Sequence, residues 1–87
     1  MAWEIKLDKG VERTLGKIDK PTAKRIVRKL RQIAQLDNPR QMGKPLTGNL
    51  SGLWRYRVGD WRIICYLEDA ELVVLIIDVD HRRQVYR

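Results

Sequence analysis

The sequence predicts an α+β domain in which two N-terminal helices pack on one face of a small, mainly antiparallel four-stranded sheet. Apolar residues recur at helical spacing in the first half of the chain. The second half contains short alternating or wholly apolar runs, which are typical of strands. A short strand precedes the helices, so the predicted element order is β-α-α-β-β-β. The 87 residues are expected to form one domain, residues 1–87.

The first strand and the first helix are predicted from the N-terminal residues. Residues 3–7 alternate apolar and polar, as a half-buried strand does. Asp8 follows and is suited to cap a helix, because its side chain can accept hydrogen bonds from the first turn. Val11, Leu15 and Ile18 then recur at helical spacing and predict the buried face of that helix.

The second helix is predicted from Pro21 to Leu36. Pro21 is suited to a first helical turn, and Asn38-Pro39 ends the helix. The predicted buried face consists of Ala23, Ile26, Val27, Leu30, Ile33 and Ala34. The opposite face carries Lys24, Arg25, Arg28, Lys29 and Arg31. Such a basic face is either a solvated surface or an electrostatic contact with a nucleic-acid backbone.

The second half of the chain is predicted to contain an irregular loop and then three strands. Residues 37–52 are rich in Pro and Gly, which indicates the loop. The strands are predicted over Leu53 to Val58, Trp61 to Leu67 and Leu72 to Val79. The third run is almost wholly apolar, which predicts a central strand covered on both faces. Gly59-Asp60 joins the first two runs, and a two-residue loop that begins with Gly is typical of a type II′ hairpin.

This hairpin predicts a cluster that we call the arginine face, consisting of Arg55, Arg57 and Arg62. A two-residue loop pairs Val58 with Trp61 and therefore Arg57 with Arg62. Because side chains alternate along each strand, the three arginines lie on the face opposite the core. Like charges directly opposite each other are destabilising, and a phosphate held between the guanidinium groups would relieve the repulsion. The alternative is that these are solvated side chains that splay apart in water.

Charge and composition narrow the class of partner. Lys and Arg number 18 against 11 Asp and Glu, for a net charge of +7, which predicts an anionic partner and nucleic acid first. An acidic protein is the alternative. The single cysteine excludes an intramolecular disulfide and a cysteine-rich zinc site, and it fits a cytoplasmic location. No apolar run approaches the roughly 20 residues of a membrane-spanning helix. We therefore expect no membrane partner, metal or cofactor.

The C-terminal segment adds further candidate side chains. His81 is the only histidine in the chain, and histidine is well suited to proton transfer near neutral pH. If the last strand pairs with the strand from Trp61 to Leu67, as in a meander, the segment that follows lies beside the arginine face. The alternatives are a surface histidine at a strand end and a packing role for Tyr86.

Two stretches resemble signatures of a known superfamily. Residues 45–66 (PLTGNLSGLWRYRVGDWRIICY) resemble the central signature of the RelE/ParE toxins. Residues 79–86 (VDHRRQVY) resemble the C-terminal signature of the RelE branch. The resemblance implies a small bacterial endoribonuclease that cleaves mRNA in the ribosomal A site, by attack of the ribose 2′-OH on the adjacent phosphate without a metal. It also implies a RelB-like antitoxin as partner, and contact with operator DNA through the antitoxin complex.

The resemblance carries the family's functional positions onto this chain residue by residue. The two basic positions before the hairpin fall on Arg55 and Arg57, and the hairpin arginine falls on Arg62. The C-terminal arginine and tyrosine fall on Arg82 and Tyr86. Contacts with RNA or the ribosome are expected from the basic residues Lys24, Arg25, Arg28, Lys29, Arg31, Lys44 and Arg83.

The chain also departs from the family pattern. The best-studied type of RelE has lysines where this chain has Arg55 and Arg57, and an arginine effectively cannot lose its proton. His81 is therefore the expected proton-transfer group, with Lys44 a weaker candidate. Asp80 stands where many relatives have glycine, and Asp78 adds a second acid nearby. These acids would either orient neighbouring side chains or weaken RNA binding.

Two other functions remain open from the sequence. ParE-type relatives share the fold but poison DNA gyrase, which requires a binding surface and no proton-transfer group. An inactive homologue that only binds an antitoxin would share the same basic surface.

Overall fold

The computed structural model describes residues 3–81 and has two helices packed on a mixed sheet. The elements are β1 (Glu4–Leu7), α1 (Lys9–Lys17), α2 (Lys20–Ala34), β2 (Lys44–Pro45), β3 (Trp54–Val58), β4 (Trp61–Glu68) and β5 (Val73–His81). Short 3-10 helices occupy Pro39–Gln41 and Gly48–Leu50. The strand order is β1-β5-β4-β3-β2, and β1 is parallel to β5 while the other pairs are antiparallel. The predicted α+β class and the pairing of the last two strands are confirmed.

The sheet has five strands rather than the predicted four. The additional strand is β2, which lies inside the segment predicted as an irregular loop. Lys44 pairs with Arg55 and Pro45 pairs with Trp54. Proline lacks a backbone N–H and is confined to sheet edges, so a two-residue edge strand suits it. Beyond Arg55, no described residue pairs with the outer edge of β3.

The helices begin at acidic residues, but only one of these residues caps with its side chain. Asp19 Oδ2 accepts hydrogen bonds from Thr22 N (3.1 Å) and Thr22 Oγ1 (2.8 Å). Asp8 occupies the N-cap position of α1 without a side-chain capping bond, so the predicted cap is present in position only. Val27, predicted in the buried face of α2, is 37% exposed. The apolar stripe of α2 is therefore narrower than predicted.

The core lies between the two helices and one face of the sheet. Its buried residues are Trp3, Val11, Ile26, Leu30, Ile33, Tyr56, Val58, Ile63, Cys65, Leu67, Val74, Ile76 and Val79. Burial raises the pKa of the Cys65 thiol to about 12, so this cysteine packs as an uncharged apolar side chain. No helix within residues 3–81 is long and apolar enough to cross a membrane.

The loop before β3 is fixed to the sheet by hydrogen bonds from two aromatic side chains. The buried Tyr56 hydroxyl donates to Pro39 O (2.7 Å), and Trp54 Nε1 donates to Met42 O (2.7 Å). Gly43 has φ +75°, and a Cβ on it would lie 2.7 Å from Trp54 Nε1 and would also collide with Arg55 O. Only glycine allows this close approach. The loop thereby brings Lys44 to the edge of β3.

A β-bulge interrupts the pairing of β4 with β5. Cys65 pairs with Ile76, but the preceding residue, Ile64, pairs with Asp78. Ile77 is therefore the extra residue on β5. A bulge of one residue exchanges the faces of all side chains that follow it. This exchange determines which C-terminal side chains lie on each side of the sheet.

Candidate functional site

The hairpin between β3 and β4 has the predicted register. Val58 pairs with Trp61, Arg57 with Arg62 and Arg55 with Ile64. Gly59 has φ +58°, and positive φ at the first loop position is what a type II′ turn requires. The predicted register of the arginine face is therefore confirmed.

Arg62 is the most unusual member of the arginine face. It is only 8% exposed, and no described residue accepts a hydrogen bond from its buried Nε. Burial of an unpaired guanidinium nitrogen is costly, because the group loses water without gaining a partner. Arg57, directly opposite on β3, is exposed and adds a second positive charge. An anion is the ligand that this pair would accept.

An acidic pair lies on the other flank of Arg62. Asp80 pairs with Arg62 in the β4–β5 register, and Asp78 pairs with Ile64. A side-chain hydrogen bond links Asp78 to Asp80. Loss of solvent, this hydrogen bond and the negative charge of Asp80 raise the pKa of Asp78 to about 6. Two carboxyl groups can share a hydrogen bond only when one of them is protonated.

A second basic surface joins the helix to the arginine face. A cavity of about 310 Å³ is lined by Arg57 and by Arg25, Arg28 and Lys29 of α2. An adjoining cavity of about 340 Å³ is lined by Lys29, Arg57, Lys44 and Arg55. We call these six residues the basic groove. No acidic residue is among the described residues that line either cavity. The structure thus unites two basic clusters that the sequence analysis treats separately.

Two other helix cations lie beyond this groove. Lys24 and Arg31 line a cavity of about 390 Å³ together with Arg28 and the partly exposed Val27. Arg28 is shared with the basic groove, so the basic surface continues around α2.

The structure does not bring His81 to the arginine face. His81 pairs with Trp61 on the helix side of the sheet, and the two rings are perpendicular with centroids 5.2 Å apart. It lines a cavity of about 240 Å³ with Thr22 and Arg25. His81 lies on the helix side because of the bulge at Ile77. Without the extra residue, the His81 side chain would lie on the opposite face of the sheet. The same shift places Asp78 and Asp80 beside Arg62, which sequence reasoning missed.

The remaining predicted site residues are Arg82, Arg83 and Tyr86. All three lie outside the residues that the structure describes. Within residues 3–81, no group of three or more His, Cys, Asp or Glu residues is placed to hold a metal ion.

The fold is shared by toxins of solved toxin–antitoxin complexes. Residues 5–86 match the family described as the ParE toxin of the type II toxin–antitoxin system parDE. The chain therefore belongs to this family, within the RelE/ParE superfamily.

The chain is also similar in sequence to two toxins of Mycobacterium tuberculosis. It is 39% identical to toxin RelG over 49 residues, which cover 56% of each protein. It is 40% identical to toxin RelE over 52 residues, which cover 60% of this chain and 54% of that toxin. The chain thus spans a little over half the length of the curated relatives that it matches.

Solved structures share the fold over nearly the whole chain. The toxin–antitoxin complex RelBE2 from Mycobacterium tuberculosis contains a chain with TM-score 0.85 and 25% identity, covering 94% of this chain and 93% of that one. The archaeal RelE–RelB complex from Pyrococcus horikoshii contains a chain with TM-score 0.74 and 26% identity, covering 94% and 97%. An Escherichia coli RelE toxin, at TM-score 0.79 and 19% identity, shares the fold over 97% of this chain and 87% of its own.

Proposed function

We propose that this toxin is an endoribonuclease that cleaves mRNA in the A site of the translating ribosome and thereby inhibits translation in the cytoplasm. The observation that carries the proposal is Arg62, a buried arginine whose Nε has no acceptor among the described residues. A phosphate is the group that such a guanidinium recognises best, because its oxygens accept two parallel hydrogen bonds. The resemblance of residues 45–66 and 79–86 to the RelE signatures implies RNA as the source of that phosphate, and the chain is similar to toxins named RelE and RelG.

The proposed chemistry is attack of the ribose 2′-oxygen on the adjacent phosphorus. Arg62, together with Arg55 and Arg57, binds the scissile phosphate and stabilises the negative charge that grows in the pentavalent transition state. Arg82 would contact the phosphate or assist the leaving 5′-oxygen. Tyr86 would stack on a base or orient the 2′-OH, since RNA is commonly recognised through unstacked bases.

The basic groove supports contact with ribosomal RNA and with an antitoxin. Six cations line it, and no acidic residue is among its described lining residues. Ribosomal RNA presents a dense array of phosphates that such a surface attracts at long range. A RelB-like antitoxin with an acidic segment could cover the same groove, as a disordered partner wraps a large surface. RelE–RelB complexes of relatives with this fold support such a partner, and operator DNA would be reached through that complex.

Gyrase inhibition is the second candidate, because the family that the chain matches is named for ParE toxins. A gyrase inhibitor requires a binding surface only. Gyrase binding does not explain why a buried arginine keeps an Nε without an acceptor. The arginine face therefore favours RNA cleavage over gyrase inhibition. An inactive homologue that only binds an antitoxin is the third candidate.

Cleavage can be tested on purified ribosomes that carry a defined mRNA with an empty A site. We expect the toxin to cut that mRNA within the A-site codon and to leave the same mRNA intact when ribosomes are omitted. The product should carry a 2′,3′-cyclic phosphate, because the nucleophile is the adjacent 2′-OH. Intact mRNA on the ribosome would overturn the proposal.

A further inference from the structure

The proposed cleavage needs a group that removes the proton from the 2′-OH, and the described residues offer few. The arginines cannot serve, because a guanidinium effectively keeps its proton. His81 faces the helix side of the sheet and stacks edge-on against Trp61. Lys44 is exposed at the sheet edge, opposite Arg55 rather than Arg62.

The Asp78–Asp80 pair lies on the strand next to Arg62. Asp80 is directly opposite Arg62, so their Cβ atoms are roughly 5 Å apart. Asp78 is two residues away on the same face and shares a hydrogen bond with Asp80. The pKa of Asp78, about 6, allows the pair to be deprotonated and basic near neutral pH.

The other charged groups around the pair come from β4, β3, α1 and the N-cap of α2. Arg62 of β4 is the cation opposite Asp80, with Arg57 of β3 beyond it. Lys17 of α1 and Asp19 line a cavity of about 390 Å³ that also includes Asp80. On the β1 side, the backbone N–H of Asp8 donates to Ile76 O (3.0 Å). Lys17 and Asp19 are exposed to solvent, whereas Arg62 is buried.

We propose that the Asp78–Asp80 carboxyl pair is the general base that accepts the 2′-OH proton, beside the phosphate held by Arg62. This assignment rests on the proposed function. It gives the two acids a role that the sequence left open, and it gives the unpartnered Nε of Arg62 a ligand. The pair is active when it carries two negative charges, and protonation switches it off.

The step balances in protons and bonds. The carboxylate accepts the proton from the 2′-OH as the O2′–P bond forms, and the P–O5′ bond breaks. The 5′-oxygen takes a proton from water, and the hydroxide that remains removes the proton from the carboxyl pair. The products are a 2′,3′-cyclic phosphate and a 5′-OH end, and no oxidant or reductant is needed.

The test is the pH dependence of single-turnover mRNA cleavage on saturating ribosomes, from about pH 5 to about pH 8.5. For the wild type we expect a rate that rises with pH and levels off above about pH 6, following the pair. Asp78→Asn should lower the plateau by roughly 100- to 10,000-fold and remove the inflection. Asp80→Asn should move the inflection to lower pH, because it removes the neighbour that raises the pKa of Asp78.

Glu68→Gln is the matched control, because Glu68 lies at the far end of β4 and loses the same charge. It should retain the wild-type rate and inflection. Asp and Asn have nearly the same shape, so we expect the variants to fold. Thermal melts followed by circular dichroism would establish that each variant is folded. A general loss of stability would lower rates without moving the inflection, so the pH profile separates a chemical role from a structural one.

The outcomes distinguish this assignment from the proposed function. If the wild type cleaves and both Asp variants keep its rate and inflection, the assignment alone is overturned. A faster rate in the Asp variants would also overturn it, because the pair would then only repel RNA. The assignment would also be overturned if His81→Gln lost the inflection in the pH profile while both Asp variants retained it. If the wild type does not cleave at all, the proposed function fails and the assignment fails with it.

Discussion

Arg62 is buried although its place in the strand alternation is opposite the core, and its Nε has no acceptor among the described residues. Its cross-strand partners are Arg57 of β3 and Asp80 of β5. A buried guanidinium nitrogen without an acceptor is destabilising, whereas an apolar side chain of similar size carries no such cost. The opposition of Arg57 and Arg62 could be predicted, because a two-residue loop fixes the register. The burial of Arg62 could not, since strand alternation places its side chain on the face opposite the core.

Replacing Arg62 is therefore expected to lower the cleavage rate without lowering the stability of the fold. Arg62→Met should cut mRNA on the ribosome about 100- to 1,000-fold more slowly, because it removes a preorganised donor to the transition state. Its melting temperature should stay close to that of the wild type, because the unpartnered Nε is removed with the charge. Arg13→Met, on the exposed side of α1, is the matched control and should keep the wild-type rate. Wild-type cleavage by Arg62→Met would contradict the role of the arginine.

The carboxyl pair makes a second prediction, on stability. The pKa of Asp78 in the folded protein, about 6, lies above its ordinary value of 3.8. The folded state therefore binds the proton more tightly than the unfolded state, and stability falls as pH rises from about 4 to about 6. Asp78→Asn should raise the melting temperature at about pH 7.5 and have little effect below about pH 4.

Thermal unfolding of both proteins at these two pH values would check this expectation. Glu68→Gln again controls for simple loss of a negative charge. An Asp78→Asn variant that melts no higher than the wild type at the higher pH would show that the pair is not under electrostatic strain. A gain in stability accompanied by a loss of cleavage would be the trade-off expected of a site retained for activity.

At the scale of elements, the bulge in β5 decides the composition of the site. Ile76 and Val79 are both buried in the core although they are three residues apart, because Ile77 is inserted between their pairs. The sequence analysis expects the C-terminal segment beside the arginine face, whereas His81 lies on the helix side of the sheet. No local residue, such as a glycine, marks the bulge. The meander itself could be predicted, but the faces of its last residues could not.

The loop before β3 depends on one glycine. Gly43→Ala should be strongly destabilising, because the new methyl group would collide with the backbone of Arg55 and with the Trp54 ring. Gly48→Ala is a matched control, since Gly48 also has positive φ (+66°) but no heavy atom within 4 Å of a new Cβ. It should cost only about 1–2 kcal/mol, the strain of a left-handed alanine.

Urea unfolding of the two glycine variants gives the comparison. The loss of stability in Gly43→Ala should exceed that in Gly48→Ala, and the Trp54 fluorescence should change only in the former. Equal losses would mean that the close approach to β3 contributes nothing. Neither strand β2 nor the close contact of Gly43 with β3 could be predicted, because both depend on contacts with β3 rather than on local sequence.

At the scale of the whole molecule, six of the 18 Lys and Arg residues line the basic groove beside β3. The basic groove joins helix α2 to the arginine face, and Lys29 and Arg57 line both of its cavities. Composition predicted an anionic partner, and periodicity placed cations on the helix. The sequence could not show that the helix cations and the strand cations line the same groove, because this depends on how α2 packs beside β3.

The groove predicts how ribosome binding depends on salt. Lys29→Ala should weaken binding at low salt and reduce the slope of log affinity against log salt by roughly 0.7 to 1, the effect of one lost phosphate contact. Arg13→Ala removes the same charge from α1 and should leave the slope unchanged. Sedimentation binding to purified ribosomes at several salt concentrations measures both. An unchanged slope for Lys29→Ala would exclude the groove from RNA contact.

The most direct measurement of the central claim follows mRNA and DNA in the same cells. Wild-type toxin is expressed briefly, and the 5′ ends of mRNA and gyrase-linked DNA breaks are mapped together, with Arg62→Met as the matched variant. We expect cuts in phase with codons on translated messages, intact DNA, and a loss of the cuts in Arg62→Met. DNA breaks with intact messages would contradict the account and identify a gyrase poison instead.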